Sequence, residues 1–164
     1  MKVLGVDPGT AATGYGVVRG GGDSYRLLEC GVVRTDSDDP LSERLAKIHR
    51  GLVDVVDRHE PACVVVEGVY SGPNVRTAVV LGHARGAAVL AGALSEVEVV
   101  EYPASEIKKA VTGSGRASKE QVGLLVQDHL NLKEPPSPED AADGCAAALC
   151  HFFLGTGPLA ERRR

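Results

Sequence analysis

The chain has 164 residues, 43% of them hydrophobic, and a formal charge of −4. That length supports one sizeable core and is short for two domains. The apolar content and the lack of low-complexity tracts exclude a disordered chain. The negative balance does not by itself point to a nucleic-acid binder, but net charge averages over faces of different sign.

The start, "MKVLGVD", reaches an aspartate too soon for a signal peptide. No apolar run is expected to reach the ~20 residues of a membrane span. The four cysteines, Cys30, Cys63, Cys145 and Cys150, form no C-x-x-C pair and have no nearby His-x-x-x-His. Buried free thiols are expected, not a zinc site.

In chain order, "VLGVD" and "TGYGVV" flank the Pro8-Gly9 turn, and "YRLLECGVVRT" follows the turn at Gly20 to Gly22. Three strands joined by short turns predict an antiparallel meander. Asp39 reads as an N-cap with Pro40 at the first helical position. Leu41, Leu45, Ile48, Leu52 and Val55 then recur at helical spacing to about Glu60. "ACVVVEGV" is a continuous apolar run, as expected of a strand covered on both faces.

After the loop "YSGPN", a helix rich in Ala, Val and Gly is predicted from about Asn74 to Ser95. "VEVVEYPA" is a fifth strand, and Ser105 is placed to cap the short helix "EIKKAV". "SKEQ" has the form of a capping box, Ser118 to Gln121. Pro135 and Pro136 stop that helix, and the last one runs from Ser137-Pro138 to about Leu154. The order β-β-β-α-β-α-β followed by helices predicts one α/β domain over 1–154, with 155–164 a frayed basic tail.

The chemistry lies in the carboxylates. Asp7 ends the first strand and Glu67 the fourth. A charge at the end of an apolar strand costs several kcal/mol unless it meets a cation, a partner or water. Taken singly, each has an ordinary reading: Asp before Pro-Gly is a turn residue, and Glu67 could be a surface acid. Asp140 and Asp143 stand one turn apart on an alanine-rich helix able to lie close to the sheet. The helix dipole accounts for an acid at 140 better than for one at 143. Four acids in a dry site would repel one another, and a divalent cation would relieve this. An all-oxygen cluster suits Mg²⁺ or Mn²⁺. Two such ions about 4 Å apart would orient a water and stabilise the leaving oxygen of a phosphodiester.

"VLGVDPGTAATGYGVV", "VVVEGVYSGPNVRTAVVLGHARGA" and "EDAADGCAAALCH" together resemble, in order and spacing, the RuvC-type Holliday-junction resolvases of bacteria. The resemblance spans residues 1–153. It implies a ribonuclease-H-like five-stranded mixed sheet, the meander plus parallel strands, flanked by helices. It makes Asp7, Glu67, Asp140 and Asp143 the catalytic metal ligands for two Mg²⁺ ions, with Mn²⁺ a plausible substitute. It also implies paired symmetric nicks in four-way DNA junctions during recombination and repair, leaving 5′-phosphate and 3′-hydroxyl ends. A homodimer, the RuvA/RuvB branch-migration proteins as partners and a cytoplasmic setting complete the expectation. Two positions depart from the family: Tyr70 stands where Phe is more common, and Gly68 where a polar residue usually follows the glutamate.

Tyr70, in the loop after the fourth strand, is either a packing tyrosine or a platform for an unpaired base. Lys108, Lys109, Arg116 and Lys119 face one acid, Glu106, between Ala104 and Lys119. That segment is either a solvated face or a phosphate-binding one, and the resemblance marks Lys108 and Lys119 as phosphate contacts. Arg76 and Arg85 are further candidates. His83 and His151 read as structural or surface histidines. Ala78, Gly82 and Gly86 form a flat stripe that could pack on the sheet or on a second copy of the chain. "DPGT" also resembles the phosphate loop of the sugar-kinase, actin and Hsp70 ATPases, but the chain is too short for the second domain they need.

Overall fold

The computed structural model describes residues 1–22, 24–68 and 75–155. Its strands are β1 (Lys2–Asp7), β2 (Ala12–Gly21), β3 (Ser24–Arg34), β4 (Cys63–Gly68) and β5 (Glu98–Pro103). Its helices are α1 (Leu41–His59), α2 (Val75–Leu94), α3 (Ala104–Thr112), α4 (Lys119–His129) and α5 (Glu139–Leu154). The five strands form one sheet ordered β3-β2-β1-β4-β5. β1, β2 and β3 make the antiparallel meander, and β4 and β5 add on in parallel beside β1. The ribonuclease-H-like mixed sheet read from the sequence is the fold observed.

Strand alternation sorts the core into two layers. Leu4, Val6, Val17, Val64 and Val66 face α1 and α2, meeting Ile48, Leu52, Val55, Ala84, Ala88 and Ala91. Val3, Val18, Cys63 and Val65 face α3, α4 and α5, meeting Ile107, Val122, Val126, Ala147 and Leu149. β1 and β4 are thus apolar on both faces, which is why both read as unbroken apolar runs. Glu29 of β3 locks α1 to the sheet by accepting from Tyr15 at 2.9 Å and pairing with Arg58 and His59, each at 2.6 Å.

Two cap assignments are corrected, both by a proline. α1 begins at Leu41 with Pro40, not Asp39, as its N-cap. α3 begins at Ala104 with Pro103 as N-cap, and Ser105 lies inside it. Each proline is extended and needs no N–H partner, so it supplies the last non-helical residue itself. The Ser118–Gln121 capping box forms as expected.

Among the described helices, α2 is long and apolar enough to cross a membrane by length and composition, but Arg76 and Arg85 interrupt it, so it holds no unbroken apolar run of that length. Its inner side, Ala84, Ala87, Ala88, Ala91 and Gly92, is buried on the sheet and α1. Its outer side leaves Val75 at 73%, Val79 at 54%, Leu90 at 51% and Leu94 at 71% exposure. The stripe belongs to this outer region: a Cβ on Gly82 or Gly86 would meet nothing within 4 Å among the described residues. Packing of Gly82 and Gly86 onto the sheet is therefore excluded. The tail from 156 onward, like Tyr70 and its loop 69–74, lies outside the described residues.

Candidate active site

β1 and β4 run in parallel with Val6 beside Val66, so Asp7 and Glu67 follow side by side at the same end of the sheet. Both belong to the odd-numbered set that faces α5. α5 lies directly on β1 and β2 because glycines clear its path. A Cβ on Gly5 would stand 2.1 Å from the Gly144 carbonyl oxygen, and one on Gly14 would stand 1.8 Å from that of Asp140. Gly144 in turn has no room for a Cβ against the Tyr15 backbone, which would be 2.5 Å away. This backbone-to-backbone contact lowers the first turns of α5 onto the strand ends.

As a result, one carboxylate oxygen each from Asp7, Asp140 and Asp143 lie within 4.8 Å of one another. Glu67 faces them across an open cleft of about 330 Å³, lined also by Pro8, Gly9, Ala12, Gly68, Leu81 and Ala104. Burial and then the Asp143 and Asp140 charges push Asp7 up to about 6, with Lys119 opposing. Burial, Asp7 and Asp143 push Glu67 up to about 7, with Lys119 and Lys108 opposing. A site in which burial and mutual repulsion raise two acids toward neutral pH, and whose carboxylates offer only oxygen donors, fits a hard divalent cation.

Lys119 enters this site directly. Its ammonium lies 2.7 Å from Asp143 Oδ2 and 3.8 Å from Asp140 Oδ1. A cation at the first position of a helix opposes the helix dipole, so α4 gains nothing from it there. Burial alone would lower the Lys119 pKa, but the hydrogen bond to Asp143 and the surrounding acids raise it. Lys108, on α3, is half-buried on the same side, where its charge reaches Glu67. Lys109, Arg116 and Arg76 are exposed. Arg85 donates its Nε–H to Glu101 in an exposed ion pair. His151 hydrogen-bonds Tyr102 and is structural, as expected.

Two residues of the site escaped the sequence reading. Thr13, fully buried, donates to the Gly9 carbonyl at 2.7 Å and accepts from the Gly9 N–H at 3.3 Å, closing the turn that carries Asp7. Thr35 donates to the Thr10 carbonyl and accepts from Arg44 Nε at 3.1 Å, holding the far side of that turn. A threonine four residues after a Pro-Gly turn was a usable signal for the first. Nothing local marked the second, because it comes from the segment after β3. At Gly68 a Cβ would meet its nearest neighbour, the Tyr102 carbonyl, at an ordinary 3.5 Å, so a side chain would fit beside Glu67.

A mixed sheet with aspartate on its first strand, glutamate on its fourth and two aspartates on the helix crossing it defines a ribonuclease-H-like nuclease. Comparison narrows the class. Residues 3–151 match the family described as Crossover junction endodeoxyribonuclease RuvC. The protein of that name from Desulforamulus reducens is 47% identical over 92% of this chain and 93% of its own. The structure of Thermus thermophilus RuvC in complex with Holliday junction substrate superposes with a TM-score of 0.87 at 39% identity, covering 93% of each chain. The yeast mitochondrial resolvase Ydc2, at 11% identity and a TM-score of 0.63, shares the fold. The chain belongs to the RuvC family of crossover junction endodeoxyribonucleases, and its activity is the resolution of Holliday junctions.

Proposed function

We propose that Asp7, Glu67, Asp140 and Asp143 are the catalytic residues and hold two divalent cations, Mg²⁺ by preference, with which the chain nicks junction strands to leave 5′-phosphate and 3′-hydroxyl ends. The observation that carries this reading is the convergence of three aspartate oxygens within 4.8 Å, opposite Glu67. Bound cations supply Lewis-acid polarisation of the phosphate and a water of lowered pKa. The protein's own part is to hold the carboxylates in place through the glycine-bedded helix and the Thr13-closed turn. Lys119 neutralises the aspartates from the solvent side. Its ammonium has three donors, so it can hold Asp143 and still offer an N–H to a phosphate oxygen.

Lys108 and Lys119 border the cleft, and Lys109, Arg116 and Arg76 extend the positive charge outward for flanking phosphates. Tyr70, in the loop after Glu67, stacks on a base at the strand exchange. The exposed apolar face of α2 supports a homodimer, whose two-fold symmetry matches paired nicks on a four-way junction. RuvA/RuvB-type branch-migration proteins are the partners, and the cytoplasm the setting, that membership of the family suggests.

Cleavage of four-way, three-way and linear DNA with and without Mg²⁺ tests the reading. Symmetric nicks confined to the four-way junction and dependent on Mg²⁺ are expected. Asp7→Asn and Asp143→Asn should abolish cleavage while junction binding survives. Retention of more than about a tenth of the wild-type rate by either would overturn the ligand assignment.

A further inference from the structure

The four thiols differ in their settings. Cys63, Cys145 and Cys150 are buried, whereas Cys30, on β3, is only partly covered. Cys30 pairs with Gly16 across the β2–β3 ladder. Gly16 leaves a gap on the α5 side, and Cys145 fills it: a Cβ on Gly16 would stand 2.4 Å from Cys145 Sγ and 2.8 Å from its Cα. Ladder partners present their side chains to the same face, so Cys30 is brought to the flank of Cys145. The Cys30 side chain packs against the buried cluster that contains Cys145. The neighbouring Cys145 thiol draws the Cys30 thiol down to about 7 against the opposing effect of burial. Cys63, without such a neighbour, is pushed up to about 12 by burial.

We propose that Cys30 and Cys145 are a hydroperoxide-sensitive thiol pair, whose oxidation cross-links β3 to α5 and lowers the nuclease activity. The roles follow from exposure. Cys30, the less buried of the two, attacks the peroxide O–O bond as its thiolate; an S–O bond forms and hydroxide leaves, so the sulfur loses two electrons to the peroxide. The sulfur of Cys145 then attacks the Cys30 sulfenic sulfur. Its proton departs with the sulfenic oxygen as water, and the S–S bond forms. Two thiols and one peroxide become one disulfide and two waters.

The consequence for the site comes from position. Cys145 follows Asp143 by two residues on a helix that rests on glycine backbone, with no intervening side chain to absorb a displacement. An S–S bond of about 2.05 Å is shorter than any thiol–thiol contact. Closing it pulls the start of α5 toward β3, which lies across β2 and β1 from β4, hence away from Glu67. A shift of ~1 Å among catalytic groups can cost ~10²-fold in rate.

The loss of rate rests on the nuclease reading, whereas the cross-link can be read without it. Reduced, metal-free protein is treated with hydrogen peroxide, quenched with catalase and divided between non-reducing peptide mass mapping and single-turnover cleavage with Mg²⁺. The expected result is a mass loss of about 2 Da, a Cys30–Cys145 linked peptide, and a cleavage rate lower by about tenfold or more that dithiothreitol restores. Cys30→Ser and Cys30→Ala should cleave like untreated wild type before and after peroxide. Oxidation of Cys30 to sulfinic acid with no linked peptide would overturn the proposal. So would linked protein that cleaves at the reduced rate, or an equal loss of rate in Cys30→Ser. A reduced protein that failed to cleave at all would count instead against the nuclease reading, and the linked peptide would still decide the pairing.

Discussion

At the scale of single residues, the placement of the proposed metal ligands is set against stability. Asp7 and Glu67 are held up to about 6 and about 7, so in metal-free protein they bind protons that the unfolded chain has already released. Their burial therefore costs nothing below about pH 4. The penalty grows as pH rises through about 4 to 7 and is complete above that. Asp7→Asn should stabilise the metal-free protein at pH 8 by about 3 kcal/mol, and hardly at all at pH 4, while cleavage is lost. Melting curves in chelator at the two pH values check this. Added Mg²⁺ should then raise the melting point of wild type, by binding the native state, more than that of the variant. Tyr70 makes a different kind of test. If its ring stacks on a base, Tyr70→Phe keeps near-wild-type cleavage. Tyr70→Ala should lose ~10²-fold through misplacement of the phosphate with little change in melting point. A large fall in the melting point of Tyr70→Ala would identify a packing tyrosine.

Among the elements, α5 and α2 make opposite uses of glycine. Under α5 the glycines are a bed, and a methyl group there has nowhere to go. Gly14→Ala would drive its Cβ into the Asp140 carbonyl and lift the turn that carries both aspartates. The expected cost is about 1–3 kcal/mol in stability and ~10²-fold in cleavage. On α2, Gly82 faces open space. Gly82→Ala should leave the monomer as stable or better by about 0.5–1 kcal/mol, since alanine is the stronger helix former. Its methyl group would roughen the face proposed for dimerisation, so sedimentation should show weaker self-association. An unchanged dimer constant would move the interface off that stripe.

Over the whole molecule, the net −4 conceals a segregation of charge on which the proposed function depends. Asp7, Asp140 and Asp143 are gathered at one end of the sheet, where Lys119 of α4 pairs with Asp143 and the Lys108 charge of α3 reaches Glu67. Lys108→Ala and Lys119→Ala should weaken junction binding at every DNA sequence and reduce the slope of log K against log salt by about 1 each. Binding titrations across a salt series measure this. For Lys119→Ala a second effect is expected: loss of its bond to Asp143 leaves the aspartates without their nearest cation, so metal should bind more tightly at low concentration. Unchanged salt slopes in both variants would turn the basic segment away from the DNA.

The element order, the meander, the two parallel strands and the four acids were legible in the sequence because each rests on a local rule. Apolar runs of strand length, the Pro-Gly turn and helical spacing of leucines are properties of short windows. An acid closing an apolar run is costly enough to be conspicuous. The two caps failed for an equally local reason, since a proline's fixed φ and missing N–H let it displace the polar cap beside it. Tertiary structure alone decided that Lys119 pairs with Asp143, that Thr35 braces the loop after Asp7, and that Cys30 meets Cys145 over Gly16. Each of these contacts joins residues on different elements, and sheet order and register set their separation. It also decided which side of α2 is free, because alanine and glycine look alike on both sides of that helix until the sheet covers one of them.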